Sequence, residues 1–224
     1  MHLAAVDIEA LRQGALWMIL LVIAISLHEF GHAWMADRRG DPLPRAQGRV
    51  TLDPTAHIDP IGTLLIPAIM IFWPAFAGGG APVALIGWGK PVQVSLPNPR
   101  TRKADDIFIT LAGPAMNLLL CLGFALALRA TGPGGLSDGA DNFLLNGLAL
   151  NACLMAFNLL PIPPLDGGRI LRWVVGMSEE TFRTVATYAP WVLLVLINTR
   201  FFALLLDNLM GLVMIPCLWL AGRG

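Results

Sequence analysis

Long uncharged runs constrain the fold of this chain more than any other feature of its 224 residues. Hydrophobic residues make up 56% of the sequence and charged residues 13%, which is far from the composition of a soluble domain. A helix needs about 20 apolar residues to cross a bilayer. We therefore expect an all-α polytopic membrane protein with five to six transmembrane helices. The apolar runs are Gln13 to Leu27, Ile61 to Gly89, Ile107 to Leu128, Phe143 to Leu165 and Val185 to Thr199, with the longer stretch Phe201 to Gly222.

Basic residues predict how these helices are oriented. The first helix is expected from about Asp7 to about Arg39, and the arginines near its end place that end in the cytoplasm. Basic residues flank Ile61 to Gly89 on both sides, so this run is predicted to enter and return as a re-entrant hairpin. The N-terminal segment lacks the basic start of a signal peptide and is expected to be retained. We expect a single membrane domain over residues 1–224, with its core at 19–170 and C-terminal helices at about 184–222.

Two short segments between the apolar runs have the alternation of strands. They are "QGRVTLD", residues 47–53, and "KPVQVSL", residues 90–96. The sequence predicts that they pair in a small surface β-sheet next to the membrane.

The segment "SLHEFGHAW", residues 26–34, places polar side chains within the first apolar helix. His28 and His32 are four residues apart, so on a helix both imidazoles lie on one face and can reach one metal ion. Glu29 is adjacent and can act as a general base, which is the chemistry of the H-E-x-x-H zinc motif. Uncompensated ionisable groups at membrane depth cost about 2.5 to 3.5 kcal/mol each, so a purely structural role is disfavoured.

Catalytic zinc normally has three protein ligands, so a third ligand is needed. The Arg38 side chain occupies the position where an extended zincin motif has its third histidine. Asp166 is favoured, because it lies between a Pro-interrupted helix end and two glycines, where irregular backbone can turn a carboxylate inward. A helix-cap role is the alternative for Asp166. Other candidates are Asp207, Asp59 and His57; for His57 a structural role is favoured over a supporting or substrate-gating one.

These motifs resemble those of the site-2 protease family of intramembrane zinc metalloproteases, peptidase family M50. That family pairs H-E-x-x-H on one helix with N-x-x-P-x-P-x-x-D-G on a later one, which here run from His28 to His32 and from Asn158 to Gly167. A G-P-x-x-N element lies between them, at 113–117. The segments "GRVTLDPTAHIDPIGTLL" and "IGWGKPVQV" are similar to those of the compact subgroup, which has no PDZ or CBS domain.

The resemblance implies one Zn²⁺ ion held by His28, His32 and Asp166, with Glu29 as the catalytic acid and base. It also implies supporting roles around the site, for which helix packing and kinking are the alternatives; the residues are Asn117, Asn158, Pro161 and Pro164.

The expected function is hydrolysis of peptide bonds in membrane-anchored protein substrates, as in regulated intramembrane proteolysis. The edge of either predicted strand is a candidate for holding the unwound substrate. We expect the protein in the plasma or inner membrane of a prokaryote, with the active site nearer the cytoplasm; homo-oligomer formation is left open. The formal net charge is zero, so nucleic acid is not an expected partner. A membrane protein that binds or transports a divalent metal is the alternative, and an inactive scaffold is disfavoured by the complete motif.

Overall fold

A computed structural model of the chain describes residues 7–77, 87–132 and 138–223. This part of the chain contains eight α-helices, and a π-helical segment, Pro60–Leu65, leads directly into the third. The helices are α1 (Ile8–Arg38), α2 (Leu43–Ala46), α3 (Ile66–Ala77), α4 (Arg102–Thr131), α5 (Asp138–Asn158), α6 (Asp166–Val174), α7 (Glu179–Leu196) and α8 (Arg200–Leu220).

Helix α1 begins and ends within one residue of the bounds expected from the sequence. Asp7 is its N-cap, and its carboxylate accepts hydrogen bonds of 3.0 Å from the backbone N–H groups of Glu9 and Ala10. After Arg38, Gly40 adopts a positive φ of 85° and turns the chain away. The intervening sequence is free of proline, so 31 residues form one continuous helix.

Helix α4 is the central element of the bundle, since it packs against α1, α5, α6 and α8. Gly31 lets α1 approach α4 closely, because a Cβ atom at this position would lie 2.6 Å from the carbonyl oxygen of Ala112. A cluster of small and medium apolar side chains joins α4, α5 and the end of α8, and its members are Cys121, Ala125, Leu128, Leu148, Ala152, Cys217 and Ala221. Short side chains at these contacts allow the helices to pack without gaps.

The described residues contain four helices of spanning length and composition, so the prediction of five to six transmembrane helices was wrong. The four are α1, α4, α5 and α8. Helix α3 has 12 residues, or about 18 Å of helix, which is short of a bilayer core of about 30 Å. The first turns of α7 carry charged residues, which leaves its apolar part too short to span. They are Glu179, Glu180 and Arg183.

The predicted surface β-sheet was also wrong, because no strand occurs among the residues that the structure describes. The two segments do lie side by side, but side chains connect them where a sheet would use backbone pairs. The Arg49 guanidinium donates to the carbonyl oxygens of Lys90 and Pro91, and Gln47 donates to the side chain of Gln93 at 2.7 Å. Pro91 has no N–H to offer to a ladder, which works against pairing at this point.

The run predicted as a re-entrant hairpin begins and ends at one place. The N–H of Trp88 donates to the carbonyl of Gly62 at 3.2 Å, and the Thr63 hydroxyl donates to the carbonyl of Trp88 at 2.7 Å. The N–H of Lys90 donates to the carbonyl of His57 at 2.8 Å. The segment 87–89 therefore returns to the residues at which the π-helix starts, whereas residues 78–86 of the predicted hairpin lie outside the described residues.

Ion pairs join the helices at both ends of the bundle. At one end, Arg39 after α1 pairs with Asp105 of α4 at 2.6 Å, and Arg169 of α6 pairs with Asp106 of α4 at 2.5 Å. At the other end, Arg223 after α8 pairs with Asp141 of α5 at 2.6 Å. Helices α4 and α8 consequently run in the same direction, and α1 and α5 run against them.

Candidate metal centre

His28 and His32 lie on successive turns of α1 and face each other, with 3.0 Å between their Nε2 atoms. The Nδ1 atom of each ring meets an oxygen acceptor. The His28 Nδ1 lies 2.6 Å from the Asn117 side-chain oxygen, and the His32 Nδ1 lies 2.8 Å from the carbonyl oxygen of Ile109. Since an oxygen acceptor requires a hydrogen on Nδ1, both Nε2 atoms direct lone pairs into the same space.

Asp166 directs a carboxylate oxygen into that space from the first turn of α6. Its Oδ2 atom lies 3.3 Å from the Nε2 of His28 and 3.4 Å from the Nε2 of His32. The same oxygen is buried and accepts no hydrogen bond from the described residues. A cation bound between these three electron-rich atoms would stabilise their convergence.

The three ligand atoms fit a zinc ion. All of them lie within 4.8 Å of one another. Ligands at about 2.0 to 2.1 Å in a tetrahedral arrangement are about 3.3 Å apart, close to the separations observed between His28, His32 and Asp166. Two imidazoles with one carboxylate also match the ligand types of catalytic zinc sites, which keep a further position open. These residues can therefore hold one zinc ion.

Gly113 of α4 leaves the room that the two imidazoles occupy. A Cβ atom at this position would lie 2.3 Å from the Nε2 of His32 and 2.7 Å from the Nε2 of His28. Pro114 follows within the same helix. Helix α4 therefore approaches the histidines with its bare backbone, and a larger residue would displace at least one of them.

A cavity of about 420 Å³ opens beside the three ligands. Glu29 and Asn158 line it, together with Pro91, Val92 and Val94 of the segment that follows the returning chain. The cavity therefore places Glu29 next to this segment, and it is large enough for part of a peptide chain.

Comparison with known proteins assigns the chain to a family. The profile of peptidase family M50 matches residues 16–197, which include both histidines, Glu29 and Asp166. The chain belongs to peptidase family M50. It is a zinc metalloprotease, and the four apolar helices of spanning length among the described residues make it an integral membrane protein. The predicted family, enzyme class and metal are therefore confirmed.

Two relatives illustrate the similarity of this M50 protease to curated proteins. The chain is 35% identical to "Putative zinc metalloprotease YwhC" of Bacillus subtilis over 189 residues, which cover 81% of this chain and 80% of YwhC. It is 30% identical to "Putative zinc metalloprotease Rip2" of Mycolicibacterium smegmatis over 206 residues, which cover 87% of this chain and 71% of Rip2. No solved structure matches the chain.

The residues for which the sequence predicted supporting roles in this M50 protease are not all at the cavity. Asn117 is fully buried against His28, and its side-chain N–H group also donates to the Asn151 side chain at 3.0 Å. Asn158 and Pro164 line the cavity, but the Asn158 side chain donates to the carbonyl of Leu154 within its own helix. Pro161 lies instead in an apolar groove beside α7.

His57 and the two remaining carboxylate candidates lie outside the ligand cluster. The His57 ring is buried and lies 2.9 Å from the carbonyl oxygen of Thr51, and burial lowers the pKa of the ring. Its backbone carbonyl receives the Lys90 N–H, so its observed contacts hold the returning segment. Asp59 caps the π-helix, and Asp207 is exposed on α8.

Arg49 is a neighbour of the site that the sequence reasoning did not identify. Its guanidinium is 4% exposed and lies 3.8 Å from the Oε2 atom of Glu29. Burial lowers the pKa of Arg49, and the negative charge of Glu29 partly opposes this effect. Arg49 stands between Gly48 and Val50, and this local sequence does not indicate its partners, since Lys90 lies 41 residues further along the chain.

Proposed function

We propose that this M50 protease hydrolyses peptide bonds of membrane-anchored protein substrates within the bilayer. The observation that carries the proposal is the convergence of His28, His32 and Asp166 beside Glu29 in one cavity of a membrane helix bundle. Asp37, near the charged end of α1, lies nine residues beyond His28, or about 14 Å along the helix. In a bilayer core of about 30 Å, this puts the cavity near mid-membrane.

In the proposed mechanism, His28, His32 and Asp166 hold the zinc ion through the three atoms that face one another. Asn117 and the carbonyl of Ile109 keep both rings in the tautomer that presents Nε2. Zinc bound there supplies Lewis-acid chemistry, which polarises the scissile carbonyl and brings the pKa of a water ligand to about 7.

Glu29 is the proposed general base and general acid. Its carboxylate accepts a proton from the attacking water and later donates it to the nitrogen of the leaving amine. The buried Arg49 guanidinium lies 3.8 Å from this carboxylate and is positioned to orient it.

The segment 91–94 beside the cavity is the proposed contact of an unwound substrate. Peptide bonds within a helix are shielded by their own hydrogen bonds, so a transmembrane substrate must unwind before attack. Val92 and Val94 line the cavity, and no hydrogen bond of their backbone groups to another described residue is present. We propose that these backbone groups bind the unwound substrate.

We propose that the cavity is reached from the cytoplasm of a prokaryotic cell. Basic residues gather at the end of the bundle where α1 ends, α4 begins and α6 is ion-paired to α4, and basic clusters of this kind favour the cytoplasmic side. The relatives named above are bacterial. The residues that form the cluster are Arg38, Arg39, Arg45, Arg49, Arg102, Lys103, Arg169 and Arg172. We also propose that the chain forms a single membrane domain, because α8 packs against α4 and α5.

The test uses full-length protein in proteoliposomes with a single-span reporter that carries a fluorescent tag on its cytoplasmic end. Glu29→Gln is expected to lower the cleavage rate by about 10²- to 10⁴-fold while zinc content stays at the wild-type value. Glu9→Gln is the matched control on the same helix, because Glu9 is exposed and its carboxylate pairs, among the described residues, with its neighbours Arg12 and Gln13. Cleavage by Glu29→Gln at the wild-type rate would refute the assignment of the base.

The ligand set has its own test. Asp166→Ala is expected to abolish tight zinc binding in the purified full-length protein, because only two of three ligands remain. Zinc is measured by competition with a fluorescent chelator, and folding by the thermal unfolding midpoint. A folded Asp166→Ala protein that binds zinc like the wild type would remove Asp166 from the ligand set.

A further inference from the structure

Asp106 of α4 is a buried carboxylate that the mechanism above does not use. It is 1% exposed, and both of its oxygens accept hydrogen bonds from α6. The Arg169 guanidinium donates to Oδ1 at 2.5 Å, and the indole N–H of Trp173 donates to Oδ2 at 2.7 Å. A fully desolvated carboxylate with two partners from one short helix holds that helix in a defined position.

The partners of Asp106 lie on the face of α6 that carries the third ligand. Arg169 and Trp173 follow Asp166 by three and seven residues, so all three lie on one side of this nine-residue helix. Leu165 at the N-cap of α6 provides no side-chain hydrogen bond to its first turn. The position of Asp166 therefore depends on what α6 is bound to, and the two bonds to Asp106 are its polar connections to α4.

Helix α4 thus carries an oxygen partner for each element of the zinc site. The carbonyl of Ile109 meets His32, and the side chain of Asn117 meets His28. Asp106, one turn before Ile109, meets α6 and thereby acts on the third ligand through the helix that bears it. Outer partners of this kind fix the orientation of metal ligands and typically change metal affinity 10- to 100-fold when they are removed.

We propose that Asp106 is a positioning residue of the zinc centre, which sets the place of Asp166 by holding Arg169 and Trp173. The proposal rests on the ligand set given under the proposed function. It makes zinc affinity, measured without any substrate, the property that Asp106 controls.

Asp105 offers a matched comparison on the same turn of α4. It is 4% exposed, accepts a 2.6 Å hydrogen bond from Arg39 and a 2.6 Å hydrogen bond from the Thr101 hydroxyl. It therefore resembles Asp106 in burial, charge and bonding, but its partners are the end of α1 and its own helix. Loss of either carboxylate removes a buried ion pair, whereas only Asp106 is bonded to the helix of Asp166.

The experiment measures the zinc dissociation constant and the thermal unfolding midpoint of full-length protein in detergent micelles for Asp106→Asn, Asp105→Asn and Asp166→Ala. Asp106→Asn is expected to weaken zinc binding by about 10- to 100-fold. Asp105→Asn is expected to lower the unfolding midpoint by a similar amount and to leave the zinc dissociation constant within twofold of the wild type. Asp106→Glu, which keeps the charge, is expected to recover part of the affinity.

Two outcomes would overturn the positioning role of Asp106 and leave the proposed ligand set intact. In one, Asp106→Asn binds zinc as tightly as the wild type while Asp166→Ala loses it. In the other, both asparagine variants weaken zinc equally, which would assign the effect to general loss of stability. If Asp166→Ala keeps wild-type affinity, the ligand set and the positioning role both fail. If Asp106→Asn does not fold, the Arg169→Gln and Trp173→Phe double variant decides in its place, with the same expected loss of affinity.

Discussion

Buried positions in α1 and α4 include histidine, aspartate, threonine and asparagine side chains, whereas in the described residues of α7 and α8 they comprise Ala189, Phe202 and Cys217. Polar groups at membrane depth carry a free-energy cost, so they persist where they bind one another or a metal. In α1 and α4 this free-energy cost is offset by the contacts of the polar side chains in the site. The C-terminal helices contribute apolar packing and a large surface for lipid, and the zinc chemistry is not expected to depend on their side chains.

Gly113→Ala is expected to have the largest effect on the site formed by α1 and α4. A methyl group would lie within 2.7 Å of both Nε2 atoms, so we expect zinc affinity to fall by about 100-fold or more, together with cleavage. Gly123→Ala is the control on the same helix, because a Cβ atom there meets nothing within 4 Å. It should keep wild-type zinc affinity and gain about 0.5 to 1 kcal/mol of helix stability. Equal zinc affinity in both variants would show that the close approach of α4 is unimportant.

Asn117→Ala is expected to have the next largest effect. It removes the oxygen that holds the Nδ1 hydrogen of His28, so zinc affinity should fall by about 10- to 100-fold. It also leaves Asn151 without a donor, at a cost of about 1 to 3 kcal/mol in unfolding free energy.

Asn208→Ala in α8 is the matched control for Asn117→Ala. Its side chain is exposed and donates to the carbonyl of Leu204 in its own helix at 2.6 Å. Chelator competition should find no change in zinc affinity. A change comparable to that of Asn117→Ala would contradict the separation of the two regions.

Arg49→Gln tests whether the contact between the proposed base and the cavity wall matters for cleavage. The neutral side chain is too short to reach both Glu29 and the carbonyls of Lys90 and Pro91, so the base and the cavity wall lose their common contact. We expect kcat on the tagged reporter to fall by about tenfold with zinc content unchanged, since a small misplacement of a catalytic group is sufficient for such a loss. Arg45→Gln, in the preceding helix α2 and largely exposed and paired with Asp37, should cleave at the wild-type rate. Loss of zinc by Arg49→Gln would instead indicate a wider structural role.

Val195→Ala in α7 should have the smallest effect. This side chain is 70% exposed, so the unfolding free energy is expected to stay within about 0.5 kcal/mol of the wild type, with zinc affinity and cleavage unchanged. Thermal unfolding of the zinc-loaded protein measures the change. A loss of several kcal/mol would mean that α7 is packed against another surface in the membrane.

Sequence patterns alone predicted the membrane character, the bounds of α1, the histidine pair with its adjacent glutamate as the candidate zinc motif, and Asp166 as the proposed third ligand, which the structure places within reach of both histidines. Each of these depends on local information: run length, a cap, the four-residue spacing on one helix face, or a carboxylate at a Pro–Gly helix boundary. The predicted surface sheet was wrong, because the alternation of residues does not reveal that side chains such as Arg49 connect 47–53 to 90–96. The predicted number of spanning helices was wrong, because apolar runs do not show where helices such as α3 and α7 begin and end.

The residues that surround the proposed ligands became evident from the packing of the helices. Asn117 was expected to support the site, but its bond to His28 joins residues 89 positions apart, and that of Asp106 to Trp173 joins residues 67 positions apart. Gly113 lay within a recognised motif, yet the need for a glycine became evident only from the 2.3 Å that a Cβ would leave to His32. The physical reason is that periodicity determines which face a residue occupies on its own helix, whereas the packing of helices against one another determines what that face meets.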